Sequence, residues 1–378
     1  MEYGAIAIPF LAAIYAYFFH QSKVLWWEFA ILLAVPVVSL FIAKFTAESF
    51  IAKDEEYWTS YVVSASYEEP WDEYIYKRCT RTVGSGKNAR TESYDCSYVK
   101  HHHEKWYFTD SSGSERIISE DLFESLVSRW GNRKFVEMNR RYHSRDGNKY
   151  VSEWKGDIRT IEVVTSIHSY ENRVQSSNSV FKFQPVDPGK YNLYNYPKFA
   201  EDGYTCPSIL GVCDRYSSAD FSLSAANAAL GARKQIRMWM LLFNDQPIEA
   251  GIEQESYWKG GNKNELVVCV GLKNKEVQWV YVFSWTPVEE LKIGIRDEIN
   301  KMKIFDAELA AKIIATQAES KWVRKQFKDF SYLSVQLDWK WILAIYALTG
   351  MVTFACLFIV INNQFDEESP RRKRIWKR

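Results

Sequence analysis

Apolar and polar positions along the chain fall into two regimes. Near the end, Trp341 to Ile361 is a run of 21 residues without a charge, and at 1.5 Å rise per residue a helix of that length crosses a hydrocarbon layer of about 30 Å. At the start, Tyr3–Phe19 and Val24–Ala43 are two more apolar runs, separated only by His20, Gln21, Ser22 and Lys23. They predict a helical hairpin. Trp26, Trp27, Trp339 and Trp341 sit at the ends of the runs, where indole rings favour the headgroup layer.

Between the runs the pattern changes to short segments dense in Tyr, Val, Ile and Thr with partial alternation, which predicts strands at 57–63, 72–81 and within 150–185. A helix is predicted at 119–130, with Ser119 as its cap, acids in its first turn, Leu122, Phe123, Leu126, Val127 and Trp130 on one face, and Gly131 as its stop. Residues 186–217 read as an irregular loop and 218–230 as a short helix. Four strands, 235–243, 248–257, 265–272 and 277–286, are then expected as a meander joined by GGNKN and KNKE turns. Thr286, Pro287 and Glu289 predict a capped helix running to about Met302, and Asp306 begins another that is expected to reach Phe330.

The expected fold class is an α+β membrane protein with an N-terminal transmembrane helical hairpin, a strand-dominated soluble domain with a few helices, and one C-terminal transmembrane helix. The boundaries are a hairpin over 1–47, an extracytoplasmic α+β domain over 48–338, a span over 339–362 and a basic cytoplasmic tail over 363–378. No internal repeat interrupts this layout.

Charge adds orientation. Net charge is +1, which gives no bulk attraction to nucleic acid. Only Glu2 precedes the first apolar run as a charged residue, so a cleaved signal peptide is not expected. Arg371, Arg372, Lys373, Arg374, Lys377 and Arg378 crowd the tail and place it on the cytoplasmic side, where they also meet anionic lipid headgroups. With three spans the large domain then lies on the outer side of a cytoplasmic (inner) membrane, although Lys44, Lys53, Lys328 and Lys340 flank the domain side.

Cysteines test the same compartment, because disulfides persist outside the cytosol. Cys79 and Cys96 flank TRTVGSGKNARTESYD, whose arms alternate around a Gly-rich turn. A hairpin turning at Lys87 and Asn88 would set the two opposite each other and within bridging distance. Cys206 and Cys213 enclose a short loop and are a second candidate pair, and Cys269 reads as a buried thiol in an apolar strand.

Candidate chemistry is sparse. His101 and His103 alternate in an extended segment beside Glu104 and Asp110, a donor set that would suit zinc. The glycines of GGNKN lack the Gly-Lys-Ser/Thr ending of a nucleotide loop and read as a turn. His168, near Glu171 and Asn172, and the isolated His143 have no nucleophile motif to complete a triad. Glu28 lies inside the second apolar run and marks a candidate contact with another subunit. The leading expectation is a non-enzymatic membrane-anchored envelope protein displaying its domain for protein–protein contacts, as an assembly subunit, adaptor or receptor, without a cofactor. Its expected partners are the bilayer, other membrane or envelope proteins and further copies of itself. The alternative is a membrane-bound metal-dependent hydrolase using the His101–Glu104 cluster.

Overall fold

The computed structural model describes residues 2–20, 24, 26–84, 89–131, 134–136, 148–154, 162–177, 183–198 and 207–363. In chain order, helices α1 (Ala7–His20) and α2 (Trp26–Ile51) come first. Seven strands follow: β1 (Lys53–Glu68), β2 (Trp71–Ile75), β3 (Arg78–Val83), β4 (Arg90–Asp95), β5 (Tyr98–His102), β6 (Lys105–Asp110) and β7 (Glu115–Ile117). Then come α3 (Glu120–Trp130), β8 (Lys134–Val136), β9 (Lys149–Glu153), β10 (Val163–Glu171) and the single turn α4 (Arg173–Ser176). The remainder is β11 (Ile209–Leu210), α5 (Tyr216–Lys234), β12 (Arg237–Asn244), α6 (Glu249–Tyr257), β13 (Glu265–Lys273), β14 (Glu276–Ser284), α7 (Glu289–Asn300), α8 (Ala307–Lys321) and α9 (Trp339–Asn363). The chain divides into two compact units, one of Met1–Asp54, Ser169–Phe183 and Phe327–Arg378, the other of Glu55–His168 and Gln184–Gln326.

The first unit contains three helices long and apolar enough to cross a membrane, Tyr3–His20, Trp26–Ile51 and Trp339–Asn362. Along α2, Glu28, Leu32, Pro36, Leu40 and Ala47 are buried, a stripe at helical spacing that packs inward. The opposite face is equally apolar: Phe41, Phe45 and, on α9, Phe354 are 50%, 70% and 70% exposed. A helix apolar all round suits a nonaqueous solvent. The end of α2 meets the start of α9, where the Phe50 and Trp341 rings lie 5.6 Å apart. Asp338 caps α9 by accepting from the amides of Lys340 and Trp341.

In the second unit a six-stranded sheet has the order β7-β6-β1-β9-β8, with β10 also pairing β1. Helix α3 covers it as its sequence pattern predicts: Ser119 Oγ accepts from the Leu122 amide, Gly131 closes the helix at φ 94°, and Phe123 and Leu126 pack against Ala65 of β1. A four-stranded sheet of order β11-β12-β13-β14 completes the unit. Its one face packs against α5, α7 and α8, and its other face buries Trp239, Phe243, Trp258 and Trp279 with tyrosines of the preceding loop.

The expected four-strand meander is corrected here. Residues Glu249–Tyr257 form α6, not a strand, with Ala250, Gly251 and Gln254 turned inward at helical spacing. The chain crosses over to make β12 and β13 parallel, and both strands are buried on both faces, which erases the alternation a meander would show. GGNKN therefore links a helix to a strand, while only β13 and β14 form a hairpin, turning on Asn274 and Lys275 at φ 53° and 67°. Helix α7 starts at Glu289, after an extended Val288 at φ −90° and ψ 90°; Thr286 Oγ1 donates to the Val323 carbonyl and accepts from the Val288 amide. The long helix expected from Asp306 stops at Lys321.

Gly231 shows how tightly α5 seats on β1: a Cβ there would lie 2.0 Å from the main-chain oxygen of Thr59. Substituting alanine favours the helix by up to about 1 kcal/mol, yet the overlap with backbone costs more. Gly231→Ala is expected to lower stability by about 2 kcal/mol or more, read as a fall in the unfolding midpoint of the detergent-solubilised chain.

Candidate functional site

Beyond Glu68 and Lys105 the β1–β6 pairing continues outward as two further two-stranded ribbons, β2–β5 and β3–β4. One register runs through all three: the residue numbers of each pair sum to 173 from Ser64–Thr109 through Trp71–His102 to Val83–Arg90. Two local features interrupt the ladder. Pro70 has no amide to give. At the second break, Ser97 Oγ accepts from the Lys77 amide, while the Ser97 hydroxyl and amide hold the Asp95 carboxyl below its ordinary pKa.

Cys79 and Cys96 stand at disulfide distance, with Cα atoms 5.8 Å apart. They are not opposite each other. Cys79 pairs with Tyr94, so the bridge is diagonal on one face, a reach that neighbouring strands allow. The sheet at the arm's base sets this register, two residues away from the one expected from the cysteines alone. The same face carries Trp71, Ile75, Tyr98 and Tyr94, by strand alternation. Tyr74, Tyr76, Tyr94 and Tyr98 are 42%, 85%, 43% and 51% exposed, and among the described residues no third strand pairs with either ribbon.

The histidines belong to this arm. His101 Nδ1 lies 2.5 Å from Asp72 Oδ1 directly across the ribbon, and His102 Nε2 lies 2.8 Å from Glu73 Oε2 while its ring stacks on Trp71 at 4.1 Å. His103 lies past the end of β5, and Glu104 accepts from the Tyr67 hydroxyl. Among the described residues no three His, Cys, Asp or Glu side chains converge as a metal ligand set. These contacts join polar side chains across the strands, as Arg81 and Glu92 also do at 3.2 Å.

The other sequence-predicted residues are dispersed. Cys213, expected to pair with Cys206, carries a free thiol that packs against the apolar core and is pushed up in pKa by burial; Cys206 lies outside the described residues. Cys269 is a buried free thiol on β13. Glu28 is fully buried in the first turn of α2, covered by the chain's own atoms. The tail cations Arg371, Arg372, Lys373, Arg374, Lys377 and Arg378, and His143, lie outside the described residues.

Two buried polar clusters carry no local signal in the sequence. On adjacent strands Arg237 pairs in register with Glu265. Glu265 accepts from the Tyr196 hydroxyl, from Trp239 Nε1 at 2.9 Å and from the Asn262 amide at 2.8 Å. Burial raises the Glu265 carboxyl, and the Arg237 guanidinium, lying over the Trp239 ring, opposes that rise. In the second cluster, buried Glu56 bonds to Arg324 and has Lys263 at 3.8 Å. Arg324 lies over Trp58, and the His168 ring stacks on Trp58 at 3.7 Å. His168 Nε2 meets Ser166 Oγ at 2.9 Å; among the described residues no carboxylate bonds its other nitrogen, so the pair lacks the orienting group of a triad.

No family model, curated protein or solved structure matches the chain.

Burial depresses the His168 imidazole below its ordinary value, with Glu56 opposing and Arg324 reinforcing the shift. A base whose folded pKa lies below its unfolded pKa supports the fold above the unfolded value of 6.5, and that support is lost as pH falls through the folded value. Unfolding midpoints taken from about pH 8 to about pH 5 should therefore drop more steeply for the native chain than for His168→Phe, which keeps a ring against Trp58.

Proposed function

We propose that the chain is an integral membrane protein of the cytoplasmic (inner) membrane, with its large domain on the outer side, and that it acts as an assembly subunit, adaptor or receptor through contacts made by the β-arm. The observation that carries this reading is the arm itself. About fifteen residues on each side of a hairpin, 69–83 and 90–104, keep the register of the sheet that stabilises them, with tyrosines exposed along both faces. Tyrosine presents large area at low entropic cost, which is what an interface needs and a solvated hairpin does not.

Supporting the membrane reading, the three helices leave their outer faces covered in phenylalanine and other apolar side chains. The outer side is favoured by the cysteine pair, since a bridge in an exposed ribbon would not persist among cytosolic thiols. The hydrolase alternative has less behind it: the His101 and His102 rings are engaged by Asp72 and Glu73.

A photoreactive phenylalanine placed at Tyr76 or Tyr98, in cells where the chain is in its native membrane, tests the arm. Discrete adducts of one mass at both positions are expected, and none at Ile304, which is 71% exposed elsewhere on the domain. An adduct of twice the chain's mass would identify a second copy as the partner. Absence of adducts at the arm, or equal yield at Ile304, would contradict the proposal.

A further inference from the structure

Where α2 ends, the first unit has a cleft of about 420 Å³, within the ~300–1,000 Å³ of small-molecule sites. Four of its lining residues are charged: Glu48, Lys53, Glu171 and Arg173. Arg173 is fixed in place, with Nε 2.6 Å from Glu171 Oε1 and Nη1 donating to the main-chain oxygens of Ser331 and Leu333. Nη2 is left without a bond to any described residue. Lys53 is exposed at the start of β1 and has no carboxylate at ion-pair distance among the described residues.

The cleft's height along the helices is marked by aromatic side chains. Phe50 and Trp341 touch at the same end of the bundle, and Trp339 is 68% exposed there; such rings settle at the headgroup level of a bilayer. One turn down α2, Phe45 lines the cleft and leads onto the exposed apolar face of Phe41 and Ile42. A polar cleft thus opens onto a greasy track.

We infer that this cleft binds one phosphatidylethanolamine, its phosphate on Lys53 and Arg173, its primary ammonium on Glu48 and Glu171, and its acyl chains along α2. This rests on the membrane reading above. Two cations and two carboxylates line the cleft, with Lys44 just outside it at 3.5 Å from Glu48; both signs of charge side by side match a zwitterion. A quaternary choline has no N–H to donate and is held by several aromatic faces, whereas Tyr170, the other aromatic lining residue, already packs edge-on against Phe327 at 5.5 Å.

Native membranes are first washed with alkaline carbonate. Release of the chain would overturn the membrane reading and this inference together; retention lets the site be tested alone. The full chain in mild detergent is then titrated by native mass spectrometry with phosphatidylethanolamine, phosphatidylcholine and phosphatidylglycerol of identical acyl chains, and with soluble phosphoethanolamine. One phosphatidylethanolamine should be retained about tenfold more tightly than the other lipids, the difference expected for one or two charge-assisted hydrogen bonds. Lys53→Gln and Glu171→Gln should each remove that preference, while Lys53→Arg keeps it, with unfolding midpoints unchanged. Equal retention of all three lipids, preference for the anionic lipid, or binding of the soluble headgroup as tight as the lipid's would overturn the inference and leave the membrane reading standing.

Discussion

Main-chain hydrogen bonding along β1 is the constraint on which the second unit depends. This 16-residue strand pairs with β6 on one edge and with β9 and β10 on the other. Near its start it also receives the α/β layer. Asn264 donates to the Tyr57 carbonyl, Arg237 bonds to the Thr59 hydroxyl, and Gly231 of α5 closes onto the Thr59 backbone. Each of these contacts requires β1 to hold one register, because a slip of one residue would turn every side chain to the wrong face.

Past an irregularity between Val62 and Ser64, the register of β1 with β6 is exported to the arm. A two-stranded ribbon is marginal in water by itself, so the arm's order has to come from the sheet at its base and from the cysteine pair partway along it. Cross-strand pairs such as Asp72–His101 and Arg81–Glu92 add little individually, since both are exposed. Their sum favours the register already imposed. Of the histidines that stand out in the sequence, His101 and His102 meet Asp72 and Glu73 across the ribbon.

Features written locally were legible from the sequence. The three apolar runs, the α3 start at Ser119 and stop at Gly131, and the Asp306 cap of α8 all depend on residues within a turn or two of each other, and the structure has them. The hairpin holding Cys79 and Cys96 was readable for the same reason, though its offset was not, because distant pairs such as Glu68–Lys105 set it. What failed was long-range. Strands buried on both faces, as β12 and β13 are, have no alternation to reveal whether their neighbour is parallel, and Glu249–Tyr257, set between two such strands, folds as a helix in keeping with its Glu, Ala and Gln. The Arg237–Glu265 and Glu56–Arg324 pairs join residues 28 and 268 positions apart, which local sequence patterns do not show.

The proposed role requires the domain to lie outside the cytosol with its arm bridged. Non-reducing peptide mass mapping of the chain, taken from its native membrane with thiols blocked at lysis, tests this most directly. The account predicts a Cys79–Cys96 linked peptide in nearly all molecules and a blocked, unlinked Cys269; finding Cys79 and Cys96 both as blocked thiols would contradict it and place the domain in a reducing compartment.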